Sequence, residues 1–166
     1  SIGMGGNGRC VPNWMGWYMR IITEPKELIG NYVAKKQNHL PDWGSFVAFG
    51  LVNKDEELIA GVVFNQLLIP NIMMHISAEK LNAGFISTVM HYAFEKNKCK
   101  RITGVIDRKN KKSRRFAVHL GAKLEGVMRQ ASVNNEDLCI YGLLKADAKK
   151  WYEPRYMKKL EEIWAV

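Results

Sequence analysis

Arg101–Gln130, RITGVIDRKNKKSRRFAVHLGAKLEGVMRQ, is the stretch whose reading decides how this chain folds. Ile102, Gly104 and Ile106 alternate with Thr103, Val105 and Asp107, so apolar positions fall on both faces, as a strand inside a sheet requires. A polar break follows from Asp107 to Lys112. From Ser113 the spacing predicts a short helix: Phe116, Ala117 and Leu120 share one face, while Arg114, Arg115 and His119 point elsewhere. Gly121 stands where a helix C-terminus needs a residue tolerant of positive φ. Lys123 to Arg129 then returns as a strand.

Asn110, Ser113, Phe116, Leu120 and Gly121, followed by Leu124-Glu125-Gly126 and Arg129, carry several fixed spacings at once. They resemble the N-x-x-S/A-x-x-(apolar)-x-x-x-L-G-(F)-x-x-E-G-x-x-R pattern of the GNAT N-acetyltransferases, in particular the branch that acetylates ribosomal-protein N-termini. Ala122 departs from the pattern, which usually has Phe there. Asp137 to Leu144, with Tyr141, resembles the closing hairpin of that branch. The resemblance spans roughly residues 19 to 147 and implies an α/β fold, a mixed and mostly antiparallel central sheet flanked by helices. It also implies acetyl-CoA as cosubstrate, a primary amine (a protein N-terminus, a lysine or a small amine) as acceptor, and a cytoplasmic monomer or homodimer.

Outward from that stretch, 166 residues with 47% hydrophobic composition suit one domain with a sizeable core. No apolar run approaches the ~18 residues of a membrane span. Residues 1–18, SIGMGGNGRCVPNWMGWY, hold four of the fourteen glycines before position 10 and lack the long apolar centre of a signal peptide. They read as an extension ahead of a natural start at Met19; the alternative is that Trp14, Trp17 and Tyr18 add a short strand edge. Cys10, Cys99 and Cys139 form no C-x-x-C pair and leave an odd thiol, which argues against a disulfide framework or a metal site and for a reducing compartment. Net charge is +9, and Lys109–Arg115 is the densest basic run. Phosphates of a nucleotide-like cofactor rank first as its purpose, a solvated helix face second and nucleic acid third.

The rest of the chain reads as a meander with helices at either end. Met19–Ile22 is a short strand, and Thr23 before Glu24-Pro25-Lys26-Glu27 predicts a capped helix running to about Gln37. NHLPDWG, residues 38–44, is a turn-rich loop; in the family this region shapes the acceptor site. Ser45–Val52 and Leu58–Gln66 should form an antiparallel hairpin about Asn53–Glu57, with Leu67–Ser77 as the next strand. A helix over Phe85 to about Asn97 follows a loop. Asp147–Val166 combines five basic residues with Trp151, Tyr152, Tyr156 and Trp164, and predicts an amphipathic C-terminal helix packed on the same domain.

Acetyl transfer needs a donor to the thioester oxyanion, a group that takes the amine proton and phosphate-binding amides. The family resemblance places the oxyanion donor where two central strands part, around His75, Ile76 and Ser77. Candidates for the proton are His75, Glu79 and Asp107, each near a strand end and each equally readable as a structural polar residue. A helix N-terminus after a loop suits pyrophosphate, and the resemblance implies that Asn82, Ala83, Gly84 and Phe85 meet the cofactor; the alternative is an ordinary strand-to-helix connection with a glycine. The family's Q/R-x-x-G-x-G/A loop is degenerate here, with Glu79 at the Gln/Arg position and Asn82 at the first glycine. Asn110, Ser113, Arg115 and Phe116 complete the cofactor set, Asn110 through its amide and Ser113 either as a ligand contact or as a plain helix cap. Many members carry a Tyr seven residues after the Asn; Ala117 stands there.

Overall fold

The computed structural model describes residues 19–151. Seven strands form one sheet in the order β1-β2-β3-β4-β5-β7-β6. They are β1 (Arg20–Ile22), β2 (Phe46–Val52), β3 (Leu58–Leu68), β4 (Asn71–Ala78), β5 (Arg101–Asp107), β6 (Lys123–Met128) and β7 (Leu138–Leu144). Three helices flank it: α1 (Lys26–Lys36), α2 (Ala83–His91) and α3 (Lys111–Leu120). Every strand pair is antiparallel except β4–β5. The α/β expectation and the mostly antiparallel sheet therefore hold.

The parallel pair positions the site. β4 and β5 meet only at Asn71–Arg101, Ile72–Ile102 and Met73–Thr103. Beyond that they part, so the remainder of β4, from Met74 to Ala78, has no strand partner on that side. The join is reinforced by side chains: Thr103 Oγ1 donates to Asn71 Oδ1 at 2.6 Å, and Arg101 Nε donates to Thr103 Oγ1 at 2.8 Å. Arg101 also grips Glu125 through both carboxylate oxygens, at 3.1 and 2.7 Å. That ion pair fastens β6 to β5 across β7, passing over Gly142, where any Cβ would sit 2.3 Å from Glu125 Oε1.

Packing forms both layers. On one face α2 buries Phe85, Val89, Met90 and Ile86 against Phe49, Phe64, Ile72 and Ile102. Phe85 alone contributes ~2–3 kcal/mol by leaving water, which outweighs the few tenths per residue that Ser87, Thr88 and Val89 cost in helix propensity. On the other face Ile29, Val33 and Ala34 of α1 meet Trp43, Ala48 and Val63. After α2 the chain widens into one π-helical turn, Tyr92–Lys96, before reaching β5.

Local differences from the sequence reading have local causes. α1 starts at Lys26 behind Pro25 with no side-chain cap, so Thr23 does not cap it; Glu24 instead accepts the Lys26 amide at 3.0 Å. β3 runs on through Leu67 and Leu68, and β4 begins only after the turn at Ile69–Pro70, because Pro70 lacks the donor a ladder needs. α3 starts at Lys111 rather than Ser113, since Asn110 supplies the cap. Gly121 is left-handed at φ 108°, as its position predicts. Residues 149–151 make a short 3-10 turn; the remainder of the expected C-terminal helix, and the 1–18 extension, lie outside the described residues. Among the described residues no helix is long and apolar enough to cross a membrane.

Candidate active site

The phase of the β3–β4 ladder decides what faces the opening between β4 and β5. The Glu79 amide donates to Ile59 O at 2.8 Å, so odd-numbered residues of β4 turn their backbone groups toward β3. Met74, Ile76 and Ala78 therefore turn theirs into the opening. Gln37, just past α1, confirms the direction by donating from Nε2 to Ile76 O at 3.0 Å. The Ile76 amide lies on the same side as that carbonyl.

A helix N-terminus follows each of the two strands that part, α2 after β4 and α3 after β5. At α2, Asn82 Oδ1 accepts the Phe85 amide at 2.7 Å, while Ala83 and Gly84 amides have no acceptor among the described residues. Asn82 also donates from Nδ2 to Met19 Sδ at 3.6 Å. At α3, Asn110 Oδ1 accepts the Ser113 amide at 3.1 Å. Asn110 is thus the cap, which uses its acceptor and leaves Nδ2 available; Ser113 contributes an amide and keeps its hydroxyl. The expectation that Ser113 caps the helix is corrected on this point.

The candidate proton acceptors differ sharply in surroundings. Glu79 is exposed and paired with Lys36 at 2.9 Å, which holds its carboxyl below the usual range and leaves it a weak base. Asp107 accepts the Lys109 amide at 3.0 Å and the Ser132 hydroxyl at 3.0 Å, tying the β6–β7 loop to the end of β5. His75 lies on the α1 face, 4.8 Å from the Trp43 ring and 6.3 Å from His39 between ring centres. Burial first, and His39 second, lower its pKa to about 4, so its imidazole is neutral near pH 7.

These residues divide into two neighbourhoods. Asp107 and Asn110 share an open cavity of about 450 Å³ with Lys36 and Gln37 of the α1 end and Ser132 and Asn134 of the β6–β7 loop. His75 belongs instead to the Trp43–His39 cluster. Ser77 reaches back to Val33 O at 3.5 Å on the α1 face. Phe116 packs partly into the core, and Arg115 has no ion pair among the described residues. Ala117 is buried at 8% exposure, so no side chain reaches the cleft from there. Tyr141, beneath α3 at 4% exposure, accepts Arg114 Nε at 3.0 Å and keeps its own proton to donate.

The sequence reading gave no site role to Gln37 or Asn65, and placed Trp43 only within the acceptor-shaping loop. Asn65 had a visible signal, an amide inside the apolar run VVFNQLL, where an unpaired polar group would be costly.

No family model and no curated relative matches the chain. Solved structures do. Spermidine/spermine N-acetyltransferase SpeG from Vibrio cholerae superposes with TM-score 0.64 at 12% identity, covering 82% of this chain and all of that one. The fold is that of the GNAT N-acetyltransferases. A probable acetyltransferase shares the fold at 22% identity and TM-score 0.59, over 78% of this chain and 94% of its own. A ribosomal-protein alanine acetyltransferase from Vibrio fischeri gives 16% and 0.60, over 78% and 93%. At these identities the likeness establishes the GNAT fold and leaves chemistry to the residues.

Proposed function

We propose that the chain is an N-acetyltransferase that moves acetyl from acetyl-CoA to a primary amine. The observation that carries this reading is the parting of β4 from β5 with the Ile76 amide aimed into the gap. An amide so placed meets the charge that develops on a thioester oxygen, the interaction worth most in acyl transfer. The residues fit the cosubstrate at several points. Ala83 and Gly84 amides face phosphate at the positive end of α2, Asn110 Nδ2 suits a pantetheine carbonyl, and Lys80, Lys111 and Arg115 supply charge. In the reaction the amine nitrogen bonds to the acyl carbon, the carbon–sulfur bond breaks, and the proton lost from nitrogen ends on sulfur. The acceptor is a protein N-terminus, a lysine or a small amine, and three cysteines with no C-x-x-C pair support a cytoplasmic location.

A second reading, a binding module that has lost efficient cofactor use, is favoured by one observation: the Asn82 side chain already accepts the Phe85 amide at the α2 N-terminus, one of the donors a phosphate would use. Calorimetric titration with acetyl-CoA, followed by thiol release with peptide, lysine and polyamine acceptors, separates the two. Saturable binding with acceptor-dependent thiol release is expected. Binding without release on any amine selects the module, and no binding at millimolar acetyl-CoA removes the enzyme.

A further inference from the structure

Asn65 is 8% exposed, and both ends of its amide are used. Nδ2 donates to Trp43 O at 3.1 Å, which fixes which end of the amide is nitrogen. Oδ1 consequently faces His75 Nε2 at 3.0 Å. A carboxamide oxygen only accepts, so His75 donates from Nε2, and its Nδ1 carries the lone pair. Nδ1 has no protein partner among the described residues. The arrangement is anchored further back, since Trp43 Nε1 donates to Gly30 O at 3.1 Å and a Cβ on Gly30 would stand 3.0 Å from that nitrogen.

Resting on the acetyltransferase reading, we propose that His75 Nδ1 accepts a hydrogen bond from the acceptor amine in its neutral form, and that Asn65 is the positioning residue that sets this tautomer. His75 neighbours Ile76, whose amide faces the opening, so the lone pair and the oxyanion donor come from adjacent residues of one strand. The groups around the ring agree. β3 presents Val63 and Asn65, and the α1–β2 loop presents Trp43 and His39. Among the described residues His39 is the one titratable group that bears on His75, and it opposes a charged ring. A ring kept neutral orients an amine well and strips an ammonium ion poorly. The amine must therefore arrive already deprotonated. When its nitrogen bonds to the acyl carbon and the sulfur departs, the displaced proton passes to the thiolate.

The rate then follows the acceptor's own ionisation. An α-amino group, with pKa near ~8, is neutral some 10²-fold more often at pH 7 than a lysine side chain near ~10.4.

The test has two arms. Nitrogen NMR of the wild-type protein labelled at histidine, with no substrate present, should show His75 protonated at Nε2 and bare at Nδ1 at pH 7. Protonation at Nδ1, or at both nitrogens, overturns the Asn65 assignment. In the second arm kcat/KM is followed against pH with a peptide α-amine and with a lysine side chain blocked at its α-amine. The acid limb should move up by about two pH units between them. One limb common to both acceptors overturns the proposal. His75→Leu should cost roughly 10²-fold in kcat/KM, with partial recovery in His75→Gln, whose amide oxygen also accepts. Asn65→Asp should raise the His75 pKa and add a histidine limb to the profile. Absence of turnover with every amine fails the acetyltransferase reading and this use of His75, while the NMR arm alone still decides the tautomer.

Discussion

Asn82 points its own carboxamide oxygen at the Phe85 amide, 2.7 Å away, and so supplies from within the chain what a phosphate oxygen would supply from outside. Replacing it with the glycine usual in the GNAT loop separates the two roles. Asn82→Gly should cost only a few tenths of a kcal/mol in stability, because glycine is a tolerable N-cap. It should also tighten acetyl-CoA about tenfold, the value of one charge-assisted hydrogen bond regained. Calorimetry on the two proteins checks the affinity, and urea unfolding the stability.

Lys111 and Arg115 have no carboxylate partner among the described residues, whereas Arg108 pairs with Asp137 and Lys109 with Glu136. The double change Lys111→Ala, Arg115→Ala should weaken acetyl-CoA several-fold, with a dependence on salt. Lys109→Ala should do less, since its charge is already spent. If instead generic RNA affinity falls most, the basic run serves nucleic acid.

His75 makes stability depend on pH. Its folded pKa of about 4 lies below the ordinary 6.5, so as pH falls through 6.5 the unfolded chain takes up the proton first. Stability present above pH 6.5 is then lost down to about pH 4, amounting to ~3 kcal/mol at ~1.4 kcal/mol per unit. His75→Gln should remove that component. Denaturant midpoints for both proteins at pH 7, 5.5 and 4.5 give the comparison.

Gly121 holds φ 108°, and a Cβ there would lie 2.6 Å from Asp147 O. Gly121→Ala should destabilise by more than ~1 kcal/mol, because both backbone conformation and neighbouring carbonyl oppose it. Chemical unfolding measures the loss, and an unchanged midpoint would contradict the packing described.

The legible parts of the fold were those written in local periodicity. Arg101–Gln130 reads correctly as strand, helix and strand because its apolar spacing and Gly121 act over a few residues. Glu125 and Gly126 are visible as a pattern, yet the reason for Glu125 is not: its partner Arg101 is two strands away, and the space it occupies is left by Gly142. The same limit applies to the site. Asn110 and Asn82 are recognisable by position, but their capping roles depend on where each helix begins. His75 is visible only as one histidine near a strand end. What distinguishes it from Glu79 and Asp107 is set by Asn65, Trp43 and His39, which the chain brings to it from a loop and a neighbouring strand.

The parting of β4 from β5 gives the sheet the mechanics of an open book. One leaf is β1 to β4, the other β5, β7 and β6, and the binding between them is the short run from Asn71 to Met73. Anything laid in the gutter with amides of its own replaces the stitches that the backbone leaves out. The leaves then stiffen against each other, so cosubstrate binding should slow amide exchange in both at once, far beyond the residues it touches.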